Sequence, residues 1–197
     1  MISGKNISLS FNSTFIFRDL TFSIRGGENA CFSGPSGKGK SSLLKIIQGY
    51  IIPDTGQVEI DGMDLNIENV RKIRSKMAYI PQNINLPVDN GKDLLKLIND
   101  RNAEKTVDYF IEELGMPADM LTRRFDEMSG GQKQRVVIAV CLSLDREIIL
   151  LDEPTSSLDD ESIDKVIRVM QNLKNRTIVS ASHNHKWIRF VDKKINL

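Results

Sequence analysis

At 197 residues, 40% apolar and 27% charged, the chain has the make-up of a globular protein with one sizeable core and room for a smaller lobe. A formal net charge of +1 provides no overall field for nucleic acid or an acidic partner, so no nucleic-acid partner is expected. No apolar run approaches the roughly 18 residues that would span a bilayer, and residues 1–5 lack the apolar segment of a signal peptide. The two cysteines, Cys31 and Cys141, sit among apolar neighbours in no metal-ligand spacing, as expected of buried thiols in a reducing cytosol.

Along residues 1–33 apolar positions alternate as in strands, at Ile7, Leu9 and Phe11 and again at Leu20, Phe22 and Ile24. Arg25-Gly26-Gly27-Glu28 forms the turn between them and the next strand. Ala30-Cys31-Phe32-Ser33 reads as a short buried strand. It runs into Gly34-Pro35-Ser36-Gly37-Lys38-Gly39-Lys40-Ser41-Ser42, and an apolar helix leaves through Leu43, Leu44, Ile46 and Ile47 to a glycine stop at Gly49. A turn at 53–56, a strand at 57–60, a short helix over 67–76 and a buried strand at 77–80 follow. Residues 83–128 change character. Helical periodicity places Leu94, Leu95, Leu97 and Ile98 on one face, then Val107, Phe110, Ile111 and Leu114 on another, with a break at Gly115-Met116-Pro117.

A further helix opens at Ser129-Gly130-Gly131-Gln132 and carries Val136, Val137, Val140 and Cys141 on its apolar face. Ile148 to Leu151 is a strand, Ile163 to Leu173 a helix and Thr177 to Ser180 another strand. Trp187 is read as packing and His185 as a surface residue. Strands alternating with helices around a glycine-rich loop imply an α/β fold with a mostly parallel sheet.

Residues 34–42 match G-x-x-x-x-G-K-[ST], with Gly34, Gly39, Lys40 and Ser41 at the fixed positions. Glycines let successive backbone amides converge on a phosphate chain, a lysine there supplies a point charge, and the serine hydroxyl is a Mg²⁺ ligand. The alternative is a glycine-rich turn that binds nothing. The strand at 148–151 ends in Asp152-Glu153, which would deliver Asp152 to the sheet edge where the loop lies. An acid there holds Mg²⁺, and Glu153 is placed to polarise a water. Ser129 and Gln132 have the spacing of a helix capping box. That leaves the two glycines between them unexplained unless their amides approach a second phosphate.

With these motifs in this order, the sequence resembles the ATP-binding cassette (ABC) family over essentially its whole length. Ser129-Gly130-Gly131-Gln132 resembles the family's signature motif, Tyr79-Ile80-Pro81-Gln82 its Q-loop, Ser156-Ser157-Leu158-Asp159 its D-loop and Ser182-His183 its switch histidine. Phe11 falls where the family stacks an aromatic on adenine, although a core strand aromatic is its other reading. Methionine at 128, Asn184, Lys38 and Phe11 depart from the usual residues.

The resemblance implies a phosphate-loop ATPase with a RecA-like mixed sheet core, an N-terminal antiparallel β part and an inserted helical subdomain. Boundaries are expected near 1–82 and 145–197 for the core and 83–144 for the helices. It implies ATP and Mg²⁺ as cofactors. Glu153, His183, Gln82 and Lys40 would be catalytic, and Ser41, Gln82 and Asp152 would act at the metal. Phe11, residues 34–42, Ser129, Gly130, Gly131, Gln132 and Asp159 would form the nucleotide contacts. The implied partners are separate transmembrane permease subunits and a second cassette in a head-to-tail homodimer, on the cytoplasmic face of a bacterial membrane. The competing classes are a cassette ATPase of DNA repair or translation and an ATP sensor without turnover. The spacing between Met116 and Met128 is similar to small bacterial iron-efflux cassettes.

Overall fold

The computed structural model describes residues 1–197. Two sheets organise it. The first is antiparallel and contains β1 (Ile2–Phe11), β2 (Thr14–Ile24), β4 (Thr55–Ile60) and β5 (Met63–Asp64), in the order β2-β1-β4-β5. The second is parallel and contains β3 (Asn29–Ser33), β6 (Met77–Ile80), β7 (Ile148–Asp152), β8 (Thr177–Ala181) and β9 (Lys193–Asn196), in the order β6-β7-β8-β3-β9. The expected antiparallel part and α/β core are therefore separate sheets.

Every residue of β7 and β8 is buried, which is why their sequences read as unbroken runs and not as alternation. Successive side chains still point to opposite faces. Ile148 and Leu150 join Phe32, Val179 and Ala181 in a core with α1 (Lys40–Ile47) and the antiparallel sheet. Ile149 and Leu151 join Cys31, Ala78, Ile80 and Ile178 on the other face, in a core shared with the helices. Phe22 and Phe32 meet edge to face at 5.2 Å and tie the first sheet to the second.

Between Ile80 and Ile148 no strand forms beyond an isolated bridge from Asn90 to Arg124. That stretch holds α3 (Gly91–Ile98), α4 (Arg101–Glu113), two 3-10 turns at Ala118–Thr122 and Phe125–Glu127, and α5 (Gly130–Ser143). Asn90 caps α3 and Asp100 caps α4 through their side chains. The remaining helices are α2 (Val70–Ser75), α6 (Asp160–Gln171) and α7 (His185–Phe190).

Several elements depart from their sequence outlines. The helix expected from Ile67 starts only at Val70, and Ile67 is exposed. Leu97 also faces out, so the α3 face is narrower than its periodicity suggests. Beyond Ser180 the chain adds α7 and β9, and it buries Trp187 completely under an indole N–H bond to Ser180 Oγ at 2.9 Å.

Candidate functional site

The glycine-rich loop joins β3 to α1, and its backbone explains its composition. Gly37 and Gly39 have φ of 81° and 83°, a left-handed conformation that side chains oppose. A Cβ on Gly39 would also collide with Ile16 and press on the Phe17 ring, so the β1–β2 hairpin lies against the loop. At Gly34 a Cβ would stand 2.7 Å from the Leu197 carbonyl oxygen. Helix α1 has no side-chain cap and no acid in its first turn. The amides of Gly39, Lys40, Ser41 and Ser42 donate to no acceptor in the chain, so the positive end of the helix opens onto the loop.

Lys40 is buried, and its ammonium spans the site. It donates to the carbonyls of Gly34 at 2.9 Å and Pro35 at 3.2 Å, and lies 3.5 Å from Glu153. Ser41 Oγ donates to Asp152 Oδ1 at 2.8 Å, which closes the expected pairing of loop and acidic strand. Tyr79 on the neighbouring strand β6 adds a hydroxyl to Asp152 Oδ2 at 3.4 Å. Burial pushes the Asp152 carboxyl above its usual range, the Ser41 bond opposes this, and the adjacent Glu153 charge adds to the rise. Burial next to Asp152 also pushes the Tyr79 phenol up to about 12.

Glu153 adopts φ 46°, an unfavourable left-handed backbone for a side chain of this size. Its N–H is held by the Ala181 carbonyl at 2.8 Å. One carboxylate oxygen, Oε1, meets His183 Nδ1 at 2.9 Å and the Lys40 ammonium; the other, Oε2, is buried and has no partner. His183 follows Ser182 just past β8, with its ring mostly exposed. Asn184 does not touch it and caps α7 through the Lys186 and Trp187 amides.

Other candidates take no part in the bonds of this cluster. Gln82 stands two residues past β6, exposed and without a side-chain hydrogen bond. Phe11 ends β1 with its ring 48% exposed, in keeping with a stacking surface and not with the core reading. Lys38 is exposed on the loop and forms no ion pair. Pro35 and Ser36 are exposed beside it.

Residues 129–132 form the capping box in full. The Gln132 amide donates to Ser129 Oγ at 3.2 Å, and the Ser129 amide to Gln132 Oε1 at 2.9 Å. The structure gives a packing reason for one of the two glycines. A Cβ on Gly131 would stand 2.7 Å from the Ser157 carbonyl oxygen, whereas one on Gly130 would meet Ser157 at an ordinary 3.4 Å. Asp159 caps α6 by accepting the Ser162 amide at 2.7 Å, and that bond holds its carboxyl below the usual range. No hydrogen bond or ion pair joins 129–132 to 34–42 within the chain. The sequence does not disclose the Tyr79 bond to Asp152, since Tyr79 reads there as a strand residue that opens the Q-loop resemblance, nor the approach of Ile16 and Phe17 to Gly39.

Unpaired amides at a helix N-terminus, a buried lysine above them and a serine bonded to a strand-end aspartate define a phosphate-loop nucleoside triphosphatase. Residues 17–156 match the family described as "ABC transporter", and the chain belongs to that family. It is 37% identical to the energy-coupling factor transporter ATP-binding protein EcfA1 of Mycoplasmopsis pulmonis, over 93% of this chain and 74% of that protein. It is 30% identical to the methionine import ATP-binding protein MetN of Clostridium acetobutylicum, over 100% of this chain and 65% of that protein. A solved ATP-binding cassette, a dimer in a post-hydrolysis state bound to ADP and Pi, matches it with a TM-score of 0.89 at 27% identity. That match covers 100% of this chain and 94% of the other. The protein is an ATP-binding, ATP-hydrolysing cassette of the ABC transporter type.

Proposed function

We propose that the chain drives transport by closing on a second copy of itself around two ATP molecules, with Glu153 as the base that takes the proton of the attacking water. The observation that carries this is the unpartnered, buried Oε2 of Glu153, beside an Oε1 fixed by His183 and Lys40. A carboxylate oxygen with no donor in the chain is free to accept a water's proton, while its partner oxygen keeps the side chain oriented. Lys40 and the first amides of α1 neutralise phosphate charge, and Phe11 offers its π-face to the adenine. Little covalent chemistry is required of the protein, whose work is to position the water and offset charge.

Ser41 and Asp152 suit a hard cation. They form a hydroxyl–carboxylate oxygen pair, and the raised Asp152 carboxyl marks buried negative charge that a cation would offset. Mg²⁺ there would screen the phosphate oxygens, and Gln82 has the freedom to reach toward it. No cluster of three acidic, His or Cys ligands is present. That suits an ion bound by one carboxylate, one hydroxyl and substrate phosphates.

Residues 129–132 supply the partner's half of the site, since in their own chain they do not reach the loop. A groove that follows Gln82 sets Leu86, Val88 and Phe125 among the charged Asp89, Arg124 and Lys133 and offers mixed apolar and charged seating for a transmembrane subunit. No helix of the chain is long and apolar enough to cross a membrane. The proposed setting is therefore the cytoplasmic face of a bacterial membrane, on separate permease chains. Division into a sheet core and a helical insertion at about 83–144 accords with this, since the insertion carries both the groove and residues 129–132. Relatives named for cargoes as different as methionine and molybdate or tungstate support assigning substrate choice to the permease and give the iron-efflux resemblance no added weight.

Glu153→Gln tests the assignment. Turnover is expected to fall by about 10²–10⁴-fold with ATP affinity retained, and an ATP-bound dimer should accumulate on size exclusion. Unchanged phosphate release at saturating ATP would remove Glu153 from the role.

A further inference from the structure

Gln134 lies one helical turn beyond Gly130 and Gly131 on α5 and is 1% exposed, yet its Nε2 has no hydrogen-bond partner. Buried polar groups in folded chains are nearly always paired, so an orphan donor calls for a physical reason. A long side chain on a helix leans back over the preceding turn, which here is the bare turn formed by the two glycines. The Ser157 carbonyl oxygen arrives at the same place. It stands 2.7 Å from where a Gly131 Cβ would be, and it accepts no backbone hydrogen bond. The lean of the side chain thus directs an unused donor toward the turn against which an unused acceptor stands.

The acceptor belongs to the segment that roots Glu153. The Ser156 amide donates to the Glu153 carbonyl at 3.1 Å and the Leu158 amide to Thr155 at 3.2 Å, so residues 153–158 form one hydrogen-bonded turn. Glu153 enters that turn in its left-handed conformation, so the turn is the route by which a shift of Ser157 would reach the carboxylate.

We propose that Gln134 is a positioning residue: its Nε2–H donates to the Ser157 carbonyl when residues 129–132 close on the nucleotide of a second cassette. The bond then ties that closure to the placement of Glu153. This rests on the reading of Glu153 and of the two-cassette site given above. Before closure the donor is left unmet, which destabilises the resting chain; closure removes that cost.

Gln134→Met, similar in length but without the amide, tests this on the full chain, and Gln134→Leu serves as a second variant should the first fold poorly. Removing the orphan donor is expected to raise the melting temperature of the nucleotide-free protein by about 2–6 °C. Over the same substitution kcat should fall about 3- to 10-fold, with KM and calorimetric ATP affinity changed less than about twofold. In the Glu153→Gln background with ATP and Mg²⁺, amide hydrogen exchange at residues 155–158 should slow when Gln134 is present and not when methionine replaces it.

A merely structural glutamine would lower melting temperature and kcat together, and that outcome overturns the proposal. Equal exchange protection with and without the amide also overturns it. If the ATP-loaded Glu153→Gln chain stays monomeric, the two-cassette reading fails and this inference with it. If that chain dimerises but exchange is indifferent to Gln134, only the inference fails.

Discussion

The two halves of the proposed nucleotide site are built on opposite principles. Around 34–42 the functional groups are unfinished: α1 has no cap, four amides lack acceptors, and Lys40, Asp152 and Glu153 are charged groups crowded into a buried space. Around 129–132 the turn itself is finished, with a reciprocal capping box and a glycine fitted against Ser157, and the unmet donor of Gln134 lies buried one turn further along α5. The first half holds its groups ready for a ligand at a cost in stability, and the second is a stable surface that can be presented to another molecule. Nucleotide binding and nucleotide turnover should therefore respond separately to substitution.

The largest break in that comparison is expected at Lys40. Lys40→Ala removes a buried ammonium from the phosphate loop and leaves the Glu153 carboxylate without its nearest cation. ATP affinity should fall by at least about 10-fold in calorimetry, in line with roughly 1.5–3 kcal/mol for a charged hydrogen bond. Retained affinity would mean that the loop does not hold the phosphates.

Gly131→Ala probes the second half. Its methyl must displace the Ser157 backbone, an overpacking expected to cost about 1–3 kcal/mol and to lower the melting temperature by several degrees, whereas Gly130→Ala meets only ordinary contact. ATP binding to the isolated chain should be unchanged in both. Weaker binding in either would show that the two halves communicate before any partner arrives.

The smallest effect is expected far from both halves. Asp61 takes the Lys76 ammonium at 2.8 Å and the N-terminal ammonium, and these bonds, Lys76 first, hold its carboxyl below the usual carboxylate range. A depressed carboxylate contributes stability above its unfolded pKa and loses it as pH falls through the folded value. Asp61→Asn should therefore lower the melting temperature by a degree or two at pH 7, and the difference should begin to shrink at about pH 4 and vanish only once the pH has fallen below the depressed folded pKa. A difference that persists in acid would mean a packing role for Asp61. No change in nucleotide binding is expected, which would confine the contrast to the site itself.

Much of this architecture is readable from residues because its signals are local. The loop consensus, the apolar run ending in Asp152-Glu153 and the Ser129–Gln132 spacing each fit within a few positions, and each forms as read. What escapes the sequence is tertiary. Strand β9 is short and lysine-rich at a sheet edge, so Lys193-Lys194-Ile195-Asn196 lacks a strand's apolar signal. The Tyr79 hydroxyl on Asp152 depends on strands 70 residues apart lying side by side in register, Tyr79 opposite Leu150. The reason for Gly131 lies 26 positions away at Ser157. Gln82 shows the converse: its motif is clear in sequence, but the chain leaves it exposed and unbonded.

Strand β3, which feeds the phosphate loop, is flanked on one side by β8 and on the other by β9. Both neighbours are made about 150 residues after it. At a synthesis rate of about 5–20 residues per second, a ribosome exposes the loop sequence roughly 8–30 s before the strands that will hold it. For that interval the emerging chain displays the loop residues with neither adjacent strand present. ATP capture thus waits for β8 and β9, and a chain stalled or cut before β8 would carry the motif without the ability to use it.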